Sequence, residues 1–172
     1  MNEKLQVLHT SAQLLKVTEE KVPERIDGLF TEMRAIQMEN ESLHAKVAHA
    51  EASSLLDQVE KVHDVQIIAQ KVQAKDMDQL RNMVDELKQK LENAVILLAA
   101  ENDQKVQLAA GVSKDLINRG ILAGKLIKQA AQLCGGGGGG RPDMAQAGGK
   151  DPKKINEALQ SVKQYVKDNL DQ

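Results

Sequence analysis

The chain has 172 residues, a formal net charge of -2, and 41% apolar residues that include one Phe, one Tyr and no Trp. This length fits one medium domain, or a small domain with a helical arm, and the aliphatic composition favours a core of Val, Ile, Leu, Met and Ala. A single cysteine, Cys134, excludes an intrachain disulfide and a thiolate metal cluster. No apolar run is long enough for a membrane helix or a signal peptide, so we expect a soluble, cytoplasmic protein.

The charge is unevenly distributed along the chain. Residues 1–63 carry 7 basic and 11 acidic side chains, a net charge of -4, whereas residues 111–167 carry 10 basic and 4 acidic side chains, a net charge of +6. A basic segment on a nearly neutral chain is a modest indication of a polyanionic partner. Since cation-rich surfaces are often only solvated, charge alone leaves both interpretations open.

The N-terminal third has the apolar spacing of helices. A short helix near Leu5–Leu15 is followed by a break near residues 17–22 and a long helix from Pro23 to about residue 62. Apolar residues of the long helix repeat at alternating spacings of three and four, and a helix can bury such a seam only against another helix. The seam consists of Ile26, Leu29, Met33, Ile36, Asn40, Leu43, Val47 and Ala50. We expect a homodimer through this arm, and docking of the seam on another part of a longer protein is the alternative.

From residue 63 onward the pattern is that of a small α/β domain. Three strands are expected, at Val65–Val72, Ala94–Glu101 and Val106–Val112. Three helices are expected to begin near Asp76, Ile121 and Asp151. The predicted fold is therefore α/β: a long-helix coiled-coil arm over residues 1–62, then a β-α-β-β-α-loop-α domain over residues 63–172, with a Gly-rich loop at 135–149.

The segment CGGGGGGRPDMAQAGG, residues Cys134–Gly149, is unusual in composition. It lacks the Ser and Thr of flexible linkers, and each ordered glycine costs about 0.5–1 kcal/mol relative to alanine. Such a run is favoured where a backbone approaches a partner closely or takes positive φ angles, and its N–H groups can contact a phosphate or a flat nucleoside face. A mobile surface loop is the alternative. The Gly-Lys-Ser/Thr ending of a nucleotide-hydrolysing loop is absent.

The glycine-rich segment resembles the signature of the C-terminal domain of alanyl-tRNA synthetase, a relative of the nucleic-acid-binding domain that accompanies DHH-type phosphoesterases. The resemblance continues through VILLAAENDQKVQLAAGVSKDL, INEALQSVKQYV and VPERIDGLFTEMRAI, and so covers nearly the whole chain. The chain departs from the family at Gly137, where relatives often carry a basic or polar residue. The resemblance therefore implies no side-chain contact at that position.

What the resemblance implies is a tRNA-binding and dimerising appendage of an alanine–tRNA ligase. Its globular part would contact the elbow of tRNA(Ala) and support both aminoacylation and the editing of mischarged tRNA. The implied contact residues are Gly135, Gly136, Gly137, Gly138, Gly139, Gly140, Arg141, Asp143, Gln146, Gly148 and Gly149. Lys114 is a further candidate because of its charge and its place in the turn between the predicted hairpin and the next helix.

No catalytic residue, metal site or cofactor is expected in this fragment, because ATP, magnesium and zinc would belong to the catalytic and editing domains of the parent chain. His44 and His49, five residues apart, fall on different faces of a helix and do not form a metal pair. One other interpretation stays open, a coiled-coil dimerisation module with a protein-binding or non-binding head. A phosphoesterase substrate domain would need an Asp-His-His cluster, and the sequence has no adjacent His pair or acidic His cluster.

Overall fold

The computed structural model describes residues 2–171 and divides them into two compact units, one up to Val47 and one from Ala48 onward. The predicted class, a long N-terminal helix before a mixed α/β domain, is confirmed. Within the described residues, none of the helices combines the length and the apolarity that a bilayer crossing needs.

The first unit contains two helices joined by a short turn. Helix α1 (Glu3–Leu15) begins at Asn2, whose side chain accepts a hydrogen bond from the Lys4 backbone N–H. It ends at Lys16, whose φ of 56° places it in the left-handed region that terminates helices. Helix α2 (Val22–Leu56) follows directly on a 3-10 turn, so the break that the sequence predicts at residues 17–22 is present.

The apolar seam of α2 has no cover within the first unit. Four of its large side chains, those of Met33, Ile36, Leu43 and Val47, are between 51% and 65% exposed, and Leu29 is half-buried. Phe30 is also exposed beside the seam. A row of exposed aliphatic groups at heptad spacing is typical of a helix that packs against a partner helix.

The second unit is built on one six-stranded sheet. Its strands in sheet order β1-β2-β3-β4-β6-β5 are antiparallel neighbours except for the parallel pair β2 and β3. The strands are β1 (Glu60–Val62), β2 (Val65–Lys71), β3 (Ala94–Asn102), β4 (Lys105–Val112), β5 (Gly137–Gly140) and β6 (Met144–Gly149). The last two lie where the sequence pattern predicts a loop.

Helices cover both faces of this sheet. They are α3 (Met77–Lys90), α4 (Lys114–Asn118), α5 (Ala123–Leu133) and α6 (Ile155–Leu170). Helices α5 and α6 bury their apolar stripes on one face, whereas α3 and the end of α2 cover the other. Strand β3 lies between the two layers, and its side chains alternate between them, with Leu97 on the α5 side and Ile96 on the α3 side. This explains the continuous apolar run of β3.

The long helix ends earlier than the sequence pattern indicates. The expected end is about residue 62, but α2 ends at Leu56 and the chain turns so that β1 pairs with the edge of β2. This pairing gives the backbone groups of β2 hydrogen-bond partners on its outer side. Glu60 of β1 also bridges to α6: Lys167 donates to its carboxylate at 2.7 Å and holds the pKa of Glu60 below its ordinary value.

Candidate nucleic-acid interface

The predicted glycine loop is instead a β-hairpin at the edge of the sheet, which corrects the expectation for residues 135–149. Strand β5 pairs with β6 in the register Gly137 to Gly148 through Gly140 to Ala145, and on its other side no strand of residues 2–171 pairs with it. Of the six consecutive glycines only Gly135, with φ of 70°, lies in the left-handed region. Positive φ angles therefore do not explain the glycines of the strand.

Alternate glycines of the run face a crowded side. A Cβ atom at Gly136 would overlap the Gly148 carbonyl oxygen, and one at Gly138 would overlap backbone and Cβ atoms of Ala147. At Gly140 it would lie 2.7 Å from the Ala145 Cα atom. These three positions accept only glycine because the two strands approach more closely than Cβ atoms permit.

Gly137, Gly139 and Gly148 face open space, whereas a Cβ atom at Gly149 would lie 2.7 Å from the Cys134 Cβ atom. A Cβ atom at Gly137 or Gly139 would meet no atom within 4 Å, and one at Gly148 would meet only the Val106 carbonyl oxygen at 3.7 Å. Gly137 pairs with Gly148, and Gly139 pairs with Gln146, so these residues share one side of the hairpin. We call Gly137, Gly139, Gln146 and Gly148 the glycine face. It is a flat, exposed surface made mostly of backbone.

Two pockets of about 460 Å³ each adjoin the glycine face and share Gln146. One is lined by Arg81 and Arg141 together with Gly139 and Gly140. The other is lined by Met77 and Lys105 together with Gly137 and Gly148. Sequence reasoning missed Arg81, Met77 and Lys105 as site residues, because they lie 30 or more positions before the glycine run and only the folded sheet brings them to it.

The turn between β5 and β6 is fixed by a charged cluster. Asp143 Oδ1 lies 3.2 Å from Arg141 Nε, and Arg141 Nη2 donates to Asp143 Oδ2 at 3.4 Å. Lys88 of α3 donates to the Asp143 carbonyl oxygen at 3.1 Å. The Asp143 carboxylate thus orients Arg141, which is itself 74% exposed. The contact therefore lies within the turn itself, between two of the predicted contact residues.

Lys114 lies elsewhere. It begins α4 and lines a groove of about 880 Å³ that also contains Lys88, Glu92, Asp115 and Asp143. That groove carries charges of both signs and adjoins the glycine hairpin only through Asp143. The structure therefore separates Lys114 from the other candidate contact residues.

The excess positive charge of the C-terminal segment is only partly available to a partner. Lys163 and Lys167 lie against Glu60, Lys154 pairs with Glu157, and Arg119 pairs with Asp64. Lys125, Lys128, Lys150 and Lys153 are exposed and form no ion pair within residues 2–171. Local charge at the glycine face thus comes from Arg81, Arg141 and Lys105, not from the whole segment.

Cys134, which ends α5, is buried, and this burial raises the pKa of its thiol. A buried neutral thiol is a packing group rather than a nucleophile. Across the described part of the chain, no three His, Cys, Asp or Glu side chains are grouped to hold a metal ion.

Comparisons with known proteins show the family to which the chain belongs. The DHHA1 domain family matches residues 64–168. The alanine–tRNA ligases of Oceanobacillus iheyensis and Bacillus subtilis are 60% and 55% identical over 170 residues, which is 99% of this chain and 19% of each relative. The chain thus spans about a fifth of the length of the curated relatives that it matches.

A solved structure is similar as well. The C-Ala domain from Aquifex aeolicus alanyl-tRNA synthetase superposes with a TM-score of 0.59 at 32% sequence identity, over 63% of this chain and 97% of that one. The chain therefore belongs to the DHHA1 domain family, and within it to the C-terminal domains of bacterial alanyl-tRNA synthetases.

Proposed function

We propose that this chain is a tRNA-binding appendage of an alanyl-tRNA synthetase and that its glycine face contacts the elbow of tRNA(Ala). The observation that carries the proposal is the open side of the hairpin, where Gly137, Gly139 and Gly148 expose backbone without side chains. This backbone lies between two pockets that are lined by arginine or lysine side chains. Membership of a family whose relatives include alanine–tRNA ligases supports tRNA as the partner.

The chemistry of the surface suits RNA. Structured RNA is recognised largely by its shape, its phosphates and its exposed nucleoside faces, since its deep major groove is closed to side chains. A glycine surface lets a ribose or a base approach the backbone N–H and C=O groups directly. Gln146 offers an amide donor and acceptor at the centre of the surface, and Arg141 supplies positive charge at its rim.

The role in the parent enzyme follows from this binding. By holding the tRNA elbow, the domain supports aminoacylation and the editing of mischarged tRNA, which take place on the catalytic and editing domains of the same synthetase. The domain itself needs no cofactor and performs no chemistry. Its one carboxylate beside the glycine face, that of Asp143, is engaged with Arg141.

We further propose that α2 forms a homodimer through its apolar seam. The seam keeps heptad spacing from Ile26 to Val47, and its large aliphatic side chains are exposed in the single chain. Asn40 occupies an a position of the heptad, where one polar residue fixes the register and number of helices at some cost in stability. Pairing of two identical arms along this seam would cover these side chains.

The competing function is a dimerisation module whose head binds protein or nothing. A filter-binding titration with total tRNA separates the two. Under our proposal the chain retains tRNA on the filter in a saturable manner, whereas a module without RNA affinity retains none.

Binding is also expected to weaken with salt. Arginine and lysine contacts to phosphates release counterions, so about three such contacts predict a roughly 40-fold loss of affinity between about 50 and about 200 mM salt. The measurement is the dissociation constant for tRNA at several salt concentrations. An affinity that does not change over this range would contradict the part assigned to Arg81, Arg141 and Lys105.

A further inference from the structure

We propose that Arg81 and Arg141 form a phosphate-binding pocket, with Gly139 and Gly140 as its floor, and that it holds one backbone phosphodiester of the bound tRNA. This inference rests on the proposed function and adds to it a defined subsite with a defined chemical group. Arg81 belongs to α3, outside the glycine segment, and nothing in the sequence pattern marks it as a contact residue.

The charge of the pocket selects an anion. Its volume is about 460 Å³, both arginines line it, and no Asp or Glu does so. The groove beside Lys114 is different, since three carboxylates line it as well as two lysines. The pocket between the arginines has no acidic lining residue and contains two guanidinium groups, of which Arg141 is paired with Asp143 and Arg81 with no carboxylate of residues 2–171.

Both guanidinium groups have N–H donors that form no hydrogen bond to another residue of the described structure. Arg141 uses Nε and Nη2 on Asp143, which leaves Nη1 without a hydrogen-bond partner among residues 2–171. Arg81 is exposed, and no carboxylate within residues 2–171 pairs with it, although Asp78 and Asp85 lie on the same helix. A guanidinium group is planar and matches two phosphate oxygens at once, so two of them can enclose one phosphate.

The glycine floor permits a close approach. Gly139 has no Cβ atom, and the space above it is open to 4 Å. A phosphate over this position can lie against backbone while it receives hydrogen bonds from both sides. A side chain on the floor would fill the space between the two arginines.

The first test compares single charge removals. Arg81→Gln is expected to weaken tRNA binding about tenfold and to lower the salt slope by about one unit, the value for one lost phosphate contact. Lys128→Gln is the matched control, because Lys128 is exposed on α5, on the opposite face of the sheet from α3. The control is expected to change affinity less than about twofold. Equal effects of the two substitutions would overturn the subsite.

A double substitution tests whether one phosphate is shared. If Arg81 and Arg141 hold the same group, the loss in Arg81→Gln/Arg141→Gln is smaller than the product of the two single losses, because either change alone already loosens the phosphate. Two independent contacts give the full product. That result would overturn the shared pocket even if both residues contact RNA.

A second measurement separates this inference from the proposed function. The chain has five arginines, whose Nε–H signals can be followed by NMR while inorganic phosphate is added. Arg81 and Arg141 are expected to shift along one common binding curve, whereas Arg25, Arg34 and Arg119 do not. Such shifts without any tRNA binding would refute the proposed function and keep the pocket. If tRNA binds while Arg81 behaves like Arg34 in the titration, the pocket is refuted and the function kept.

Discussion

Gly138→Ala is expected to destabilise the domain by roughly 2–3 kcal/mol, the cost of overpacking a closely fitted position. A Cβ atom at this position would overlap Ala147 and the Gln146 carbonyl oxygen, both of which belong to the paired strand. These backbone atoms cannot move without opening the ladder between β5 and β6. The predicted fall in melting temperature is about 5–10 °C, accompanied by faster hydrogen exchange of the β6 amides.

Gly139→Ala is the matched control, because it adds the same methyl group one position along the same strand. A Cβ atom at Gly139 would meet nothing within 4 Å, so the folded state gains no overlap while the unfolded chain loses freedom. Its melting temperature should equal or slightly exceed that of the wild type. If Gly138→Ala melted at the wild-type temperature as well, the packing assigned to the hairpin would be wrong.

Ile36→Asp combined with Leu43→Asp is expected to convert a dimer into a monomer. Both side chains belong to the seam of α2 and are more than half exposed in the single chain, so neither is part of a buried core within the first unit. Two unpaired carboxylates in an apolar helix pair would each cost several kcal/mol. Sedimentation over a range of protein concentrations provides the measurement.

The control places the same charge away from the seam. Thr31 and Ser42 are exposed on α2 at positions outside the heptad seam, so Thr31→Asp with Ser42→Asp should leave the dimer intact. A wild-type chain that sediments as a monomer at high concentration would show that the seam docks on something other than a second copy.

Side-chain patterns predicted the parts of the fold that side chains determine. Asp76 caps α3, where it accepts a hydrogen bond from Gln79 N–H at 2.9 Å, and Asp151 accepts one from Lys153 N–H before α6. The alternation from Val106 to Val112 and the apolar run of β3 correspond to observed strands. In each case the residue type itself carries the information about its surroundings.

The glycine hairpin could not be predicted in this way. A strand made of four glycines has no side chains, so it shows neither the alternation nor the β-branched enrichment from which strands are read. It becomes a strand because β6 lies beside it and can pair with its backbone. The division into packed and open glycines follows from that pairing alone.

The position of Arg81 beside the glycine face also could not be predicted from the sequence. It is separated from Gly139 by more than fifty positions, and its place in α3 identifies it only as one exposed residue of an amphipathic helix. The packing of α3 on the sheet brings it to the glycine face. The family resemblance indicated that the glycine segment contacts tRNA. That Arg81 lines a pocket beside this segment could be recognised only from the folded structure.

The most direct test of the account is the tRNA affinity of the variant Gly137→Ala/Gly139→Ala. Both methyl groups would project from the open side of the hairpin, where no protein atom lies within 4 Å. Circular dichroism and the melting temperature should therefore match the wild type, while the methyl groups separate RNA from the backbone. We predict a dissociation constant for tRNA at least about tenfold higher than that of the wild type, a loss of about 1.4 kcal/mol. Wild-type affinity in this folded variant would contradict the claim that the glycine face binds tRNA.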